Sequence, residues 1–201
     1  MADTRDESYA RRLDTLGGAA WKRYLNVQAP YRWNLRRQHL GRTLDVGCGI
    51  GRNLTTLPPG SVGVDHNTSS VQLAISRGLV AVDTEQWPTS EHNRPESFDA
   101  ILLAHVVEHM TPDDALDVLT GYLPVLRPGG KVFFICPQER GYRTDSTHVQ
   151  FTTGEDLQAL SRRAGLVPEK WHSFPFPRPA GKVFPYNEFT LLARKPARPV
   201  A

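Results

Sequence analysis

Acidic residues stand at or near the ends of three successive apolar runs in this sequence, and their spacing outlines a binding site. Asp45 stands two residues before Gly47 in Leu44-Asp45-Val46-Gly47-Cys48-Gly49-Ile50-Gly51, Asp65 follows Ser61-Val62-Gly63-Val64, and Asp83 follows the run from Leu79 to Val82. The glycines let a backbone turn approach a ligand closely. A dinucleotide fingerprint would need glycine at position 52, where Arg52 stands, and a carboxylate at Asp45 would repel a pyrophosphate. It suits a cationic group instead. Asp65, about 20 residues further on, is placed to accept both hydroxyls of a ribose. Asp83 suits an adenine amino group.

Such a site needs strands that deliver all three acids to one edge. Runs rich in Val, Ile, Leu and Phe predict strands at 43–46, 61–64, 79–82, 98–104, 131–136, 166–174 and 187–194. Helical patterns lie between them at 68–77, at 112–124 after Thr111-Pro112-Asp113-Asp114, and at 154–164, closed by Gly165. Strand and helix in alternation imply a mostly parallel sheet covered on both faces, with ligands at the carboxyl ends of its strands. Residues 8–39 instead carry apolar residues at helical spacing, broken at Gly17-Gly18 and Pro30.

The composition fits one domain over residues 1–201, with 1–40 as a helical cap or lid and 41–201 as the core. Hydrophobic residues make up 39% and charged residues 22%, with no apolar run long enough to cross a bilayer. The charged N-terminal segment MADTRDESYARR lacks the apolar stretch of a secretory signal, so a cytoplasmic location is expected. The two cysteines, Cys48 and Cys136, form neither a disulfide framework nor a zinc-ligand spacing. The net charge is +3, but the 24 basic and 21 acidic residues are interspersed, which argues against nucleic acid as partner. The densest basic stretch, Arg32 to Arg42, reads equally as a solvated helix face.

Five segments, LDVGCGIGRNL, VGVDHN, AVDTEQW, FDAILLAHVVEHM and LRPGGKVFFICPQ, resemble the successive signature segments of class I S-adenosylmethionine-dependent methyltransferases. The resemblance covers residues 40 to 165 well and both ends more loosely. It implies an α/β, Rossmann-like fold: a seven-stranded, mostly parallel sheet with an antiparallel last strand and helices on both faces. It further implies that Asp45, Gly47, Cys48, Gly49 and Gly51, with Arg52 and Asn53 behind them, hold the methionine end of S-adenosylmethionine. Asp65 with His66 would hold the ribose, Asp83 and Thr84 the adenine, and Ala104-His105 would lie beside the sulfonium. The product would be S-adenosylhomocysteine.

An activated methyl group needs an aligned acceptor and exclusion of water more than a nucleophilic side chain. A hydroxyl acceptor gains further from a general base, and histidine suits that task near neutral pH. His148, in Asp145-Ser146-Thr147-His148, is the first choice for this base and His105 the second. His109 is assigned to the acceptor pocket rather than to catalysis, together with Tyr142, Arg143, Asp145 and Phe184. Aromatic residues around FPFPRPAGKVFP, among them Trp171, Phe174, Phe176 and Tyr186, are expected to shape that pocket.

Ala104-His105-Val106-Val107 is not the Asn/Asp-Pro-Pro-aromatic motif used on planar exocyclic amines, and Cys136-Pro137 reverses a catalytic Pro-Cys pair. The paired acids and asparagine of a magnesium-dependent catechol site are not evident, so no metal is expected. The pattern is similar to that of ubiquinone-biosynthesis-type and natural-product methyltransferases, which implies O-methylation of a small molecule by a monomer or homodimer. Two rival readings are an RNA methyltransferase and a regulatory protein that binds the cofactor without turnover.

Overall fold

The computed structural model describes residues 28–197. The helices expected before residue 28, with Trp21 and Tyr24, lie outside the described residues. Eight strands form one sheet: β1 (Thr43–Val46), β2 (Val62–Asp65), β3 (Ala81–Asp83), β4 (Phe98–Ala104), β5 (Leu126–Pro137), β6 (Val167–Pro168), β7 (His172–Phe174) and β8 (Glu188–Arg194). Their order is β3-β2-β1-β4-β5-β8-β6, with β7 also paired to β8. The first five are mutually parallel, and β8 runs antiparallel to β5, β6 and β7. This is the Rossmann-like sheet with a reversed last strand that the sequence implies. The count rises from seven to eight because the expected strand 166–174 breaks into β6 and β7 around Glu169-Lys170-Trp171.

The helices are α1 (Ala29–Arg37), α2 (Thr68–Ser76), α3 (Pro112–Tyr122), α4 (Glu139–Tyr142) and α5 (Gly154–Arg163). Each expected core helix starts on a residue that satisfies its free amides. The Asn67 side chain accepts from the Ser70 amide, Thr111 from Asp114, and Thr153 and Asp156 close a reciprocal capping box on α5. Pro30 opens α1 at its first turn, where a proline costs no hydrogen bond.

Alternation along the strands separates two cores. Ile101, Leu103, Val132 and Phe134 cluster with Leu119 of α3 and Leu157 of α5. On the opposite face, Leu102, Phe133 and Ile135 cluster with Leu35 of α1 and with Val71 and Ala74 of α2. Each fully buried Leu or Phe contributes about 1.5–3 kcal/mol relative to exposure. No α-helix follows β1 directly. Residues 50–56 make a run of tight turns instead, because Pro58-Pro59-Gly60 stops propagation and nucleating a helix over so few residues is unfavourable.

Candidate active site

The glycine-rich turn is built by tying β1 to β2. Both the Gly47 and the Cys48 amides donate to the Val64 carbonyl, at 2.8 and 3.1 Å. Gly47 has φ +72°, and a Cβ there would stand 2.5 Å from Cγ2 of Val106. Only glycine combines that backbone with that approach. The turn is thereby seated against the loop that follows β4. Its side chain at Cys48 packs downward into the core over Gly63, so Cys48 offers a ligand its backbone alone. Burial pushes both the Cys48 and the Cys136 thiols up, and neither supplies a thiolate nucleophile.

Asp45 is fully buried, and neither of its carboxylate oxygens has a hydrogen-bond partner among the described residues. Burial pushes its pKa up to about 8; nearby Asn53 offsets part of this and the Asp65 charge adds to it. A buried carboxylate held near neutrality is a group that a cation brought to the turn would re-ionise. That property fits the ammonium end of S-adenosylmethionine.

Asp65 and Asp83 stand side by side, paired in register at the ends of β2 and β3. Asp65 accepts the Gly49 amide at 2.7 Å on one oxygen and the Asn67 amide at 2.8 Å on the other. It therefore shapes the turn as well as facing the expected ribose position. Asp83 accepts from the Thr68 hydroxyl and the Glu85 amide, while the Thr84 amide donates to the Asp65 carbonyl. His66 and Arg52 are exposed beside them, and Asn53 is half-buried.

A second group forms past β4. His105 has φ +59°, a left-handed backbone unusual for a non-glycine residue, and its ring lies between two carboxylates. Nδ1 is 3.1 Å from Oε1 of Glu108 and Nε2 is 2.9 Å from Oε1 of Glu188. About half of the side chain, 47%, remains accessible, while both glutamates are buried. Burial alone would lower the His105 pKa, but the two hydrogen bonds and charges outweigh it and raise it to about 10. His105 is thus an imidazolium at neutral pH and not the free base that the sequence suggested as second choice. Glu108 is held below the usual carboxylate range: its burial is outweighed by His105. Glu188 is pushed up by burial, despite His105, and by Glu108.

Beyond Glu108 the loop from 145 to 150 folds back, its Val149 and Gln150 amides both donating to the Glu108 carbonyl. This brings His148 to His109, ring centroids 4.8 Å apart. His148 Nδ1 donates to the Tyr142 carbonyl at 2.7 Å and stacks on the Tyr142 ring. His109 Nδ1 lies 3.2 Å from the Thr147 carbonyl, and burial lowers its pKa, so its ring is neutral. Asp145 orients Thr147 by accepting its amide and hydroxyl. Arg143 is exposed, and Phe184 sits half-buried in an edge-to-face row with Phe176 and Tyr186. Of the other aromatics, Phe174 packs under Tyr31 and Trp33, and Trp171 on Phe189, so these two serve packing.

The sequence reading missed Glu188. An antiparallel last strand must begin at the edge where the parallel strands end, and an acid at its first position was the available signal. It also missed the buried clasp in which Asn187 donates to the Gln138 side chain and Gln138 to Ser173 and the Glu188 carbonyl, fixing the start of β8 to the end of β5.

Residues 44–132 match the model of a family described as a methyltransferase domain. The chain is 36% identical to a ubiquinone biosynthesis O-methyltransferase of Bradyrhizobium sp. (strain ORS 278), over 44% of this chain and 37% of that protein. It is 26% identical to a tRNA N(3)-cytidine methyltransferase of Xenopus tropicalis, over 62% of this chain and 47% of that protein. It thus spans less than half the length of these relatives. Among solved structures, a putative methyltransferase in complex with the Haloferax volcanii Trm112 activator superposes with TM-score 0.70 at 16% identity, covering 99% of this chain and 100% of that one. A SAM-dependent methyltransferase from Archaeoglobus fulgidus gives 0.66 at 16% identity, over 87% and 97%. Residues 44–132 thus match a methyltransferase domain, and the whole sheet has the Rossmann-like fold of the solved methyltransferase structures.

Proposed function

We propose that this protein transfers a methyl group from S-adenosylmethionine to an oxygen of a small-molecule acceptor. The observation that carries the reading is the meeting of His109 and His148 beside Glu108, past the end of β4, on strands next to those that bear the acids. A proton must leave a hydroxyl acceptor during methylation, and basic imidazole nitrogens at this place serve that need. The cofactor supplies the activated methyl group. Asp45 and the Gly47–Gly51 turn take its ammonium end, Asp65 its ribose, and Asp83 with Thr84 its adenine. Glu108 and Glu188 are set around His105, beside Ala104, where the sulfonium would stand. His148, fixed by Tyr142 and Asp145's turn, works at the acceptor, with Tyr142, Arg143 and Phe184 around it. The partial likeness to a ubiquinone biosynthesis O-methyltransferase supports the same acceptor class.

An RNA acceptor is the second reading, favoured by the likeness to a tRNA methyltransferase. Calorimetric titration with S-adenosylmethionine and S-adenosylhomocysteine, against Asp65→Ala, tests the cofactor. Transfer of a labelled methyl group to a panel of phenols and hydroxy acids, beside bulk tRNA, tests the acceptor. Incorporation into tRNA alone would replace the first reading by the second, and absence of cofactor binding by folded protein would overturn both.

A further inference from the structure

Glu108, His109 and His148 each offer one ligand atom, and these atoms all lie within 4.8 Å of one another. We infer that these three side chains form a binding site for a divalent first-row metal ion, with zinc, manganese or cobalt as the fitting class.

Two features point to a ligand here. First, the carbonyl groups of Tyr142 and Thr147 can only accept, so Nδ1 of His148 and of His109 must carry the proton toward them. That fixes both rings in the tautomer whose lone pair is on Nε2, which is the arrangement by which a backbone carbonyl orients a metal-binding histidine. Second, Oε2 of Glu108 is buried without a hydrogen-bond partner among the described residues, although Oε1 is engaged by His105. A buried, unpaired carboxylate oxygen is costly unless something cationic meets it.

Two imidazoles and one carboxylate form a set that divalent zinc, iron, cobalt or manganese accepts while keeping further positions open. Bonds of about 2.0–2.2 Å place such ligands some 3–4 Å apart, so the three side chains would draw together around the ion. The site revises the expectation, drawn from the missing magnesium motif, that no metal takes part. Its role rests on the function proposed above: an oxygen acceptor at an open position would lose its proton more readily, in the way that bound water does. The binding itself stands apart from that role.

The test uses the full chain stripped with a chelator and then titrated with zinc and cobalt chloride by calorimetry, with metal content read by mass spectrometry. We expect one equivalent bound, a cobalt visible spectrum with nitrogen and oxygen ligation, and at least a tenfold weaker association in both His148→Gln and His109→Ala. Circular dichroism confirms that each variant is folded, and Glu108→Gln gives a third, least invasive change. Wild-type affinity in folded variants would put any metal elsewhere, and no uptake by the folded wild type would remove the site; either overturns the inference. Titration of the stripped protein with S-adenosylhomocysteine reads the cofactor site separately, so failure of the metal site and failure of the methyltransferase reading give different results.

Discussion

Glu188 and His105 are 83 positions apart in the chain, yet Oε1 of one lies 2.9 Å from Nε2 of the other. The bond spans from the loop after β4 to the first residue of β8, across β5. The raised His105 pKa carries a pH signature. Its unfolded value is near 6.5 and its folded value about 10, so the stabilisation is fully present below pH 6.5 and is lost as pH rises through 10. Glu188→Gln is expected to bring the imidazole pKa down by one unit or more, read from ring carbon shifts in NMR. The fall in melting temperature between pH 6.5 and 10 should shrink with it; an unchanged imidazole pKa would refute the pairing.

Asp45 has a linkage of the same sign in a lower pH window. Its folded pKa, about 8, exceeds the ordinary 3.8, so the native state binds the extra proton and loses stability as pH rises from about 4 to 8. Asp45→Asn keeps the shape without the charge. Unliganded protein carrying it should be more stable than wild type at pH 8 by about 1–3 kcal/mol, while cofactor affinity falls at least tenfold. Urea denaturation at pH 5 and pH 8 checks the first part and calorimetry the second.

Gly47→Ala places a methyl group 2.5 Å from Val106 Cγ2 on a backbone with φ +72°. Strain of this kind costs about 1–3 kcal/mol. Val106→Ala in the same chain should recover only the steric share, leaving the backbone cost, and chemical denaturation of the three variants separates the two.

Thr153→Ala removes the cap of α5, whose hydroxyl accepts the Asp156 amide at 3.2 Å. A loss of about 1 kcal/mol is expected. Cofactor affinity should stay at the wild-type value, because α5 covers the face of the sheet away from the acids' turn; a parallel loss of binding would show that the cap acts on the site.

The half of the site that the sequence disclosed is the half made of local segments. Asp45, Asp65 and Asp83 each end a strand within a few residues of a recognisable apolar run, so their common edge follows from parallel pairing alone. Strand ends moved by a residue or two, as at β2, where Asp65 itself joins the ladder. The His105 pairing was hidden because it needs the register of β8 against β5, which places Glu188 opposite Pro137. The ring orientations of His109 and His148 depend on which carbonyl each Nδ1 meets, and spacing carries no record of that.

The order of the sheet has a consequence for how such a protein changes over time. Everything assigned to the cofactor comes from one continuous stretch, 45 to 84, on β1, β2 and β3, together with the end of β4. The side chains proposed for the acceptor come from 105 to 188, on connections that leave the other half of the sheet. A lineage can therefore rewrite the segments after β4 and β5, trading one acceptor for another, while the cofactor half is inherited untouched. Divergence in this fold is expected to accumulate on one side of β1 and stall on the other.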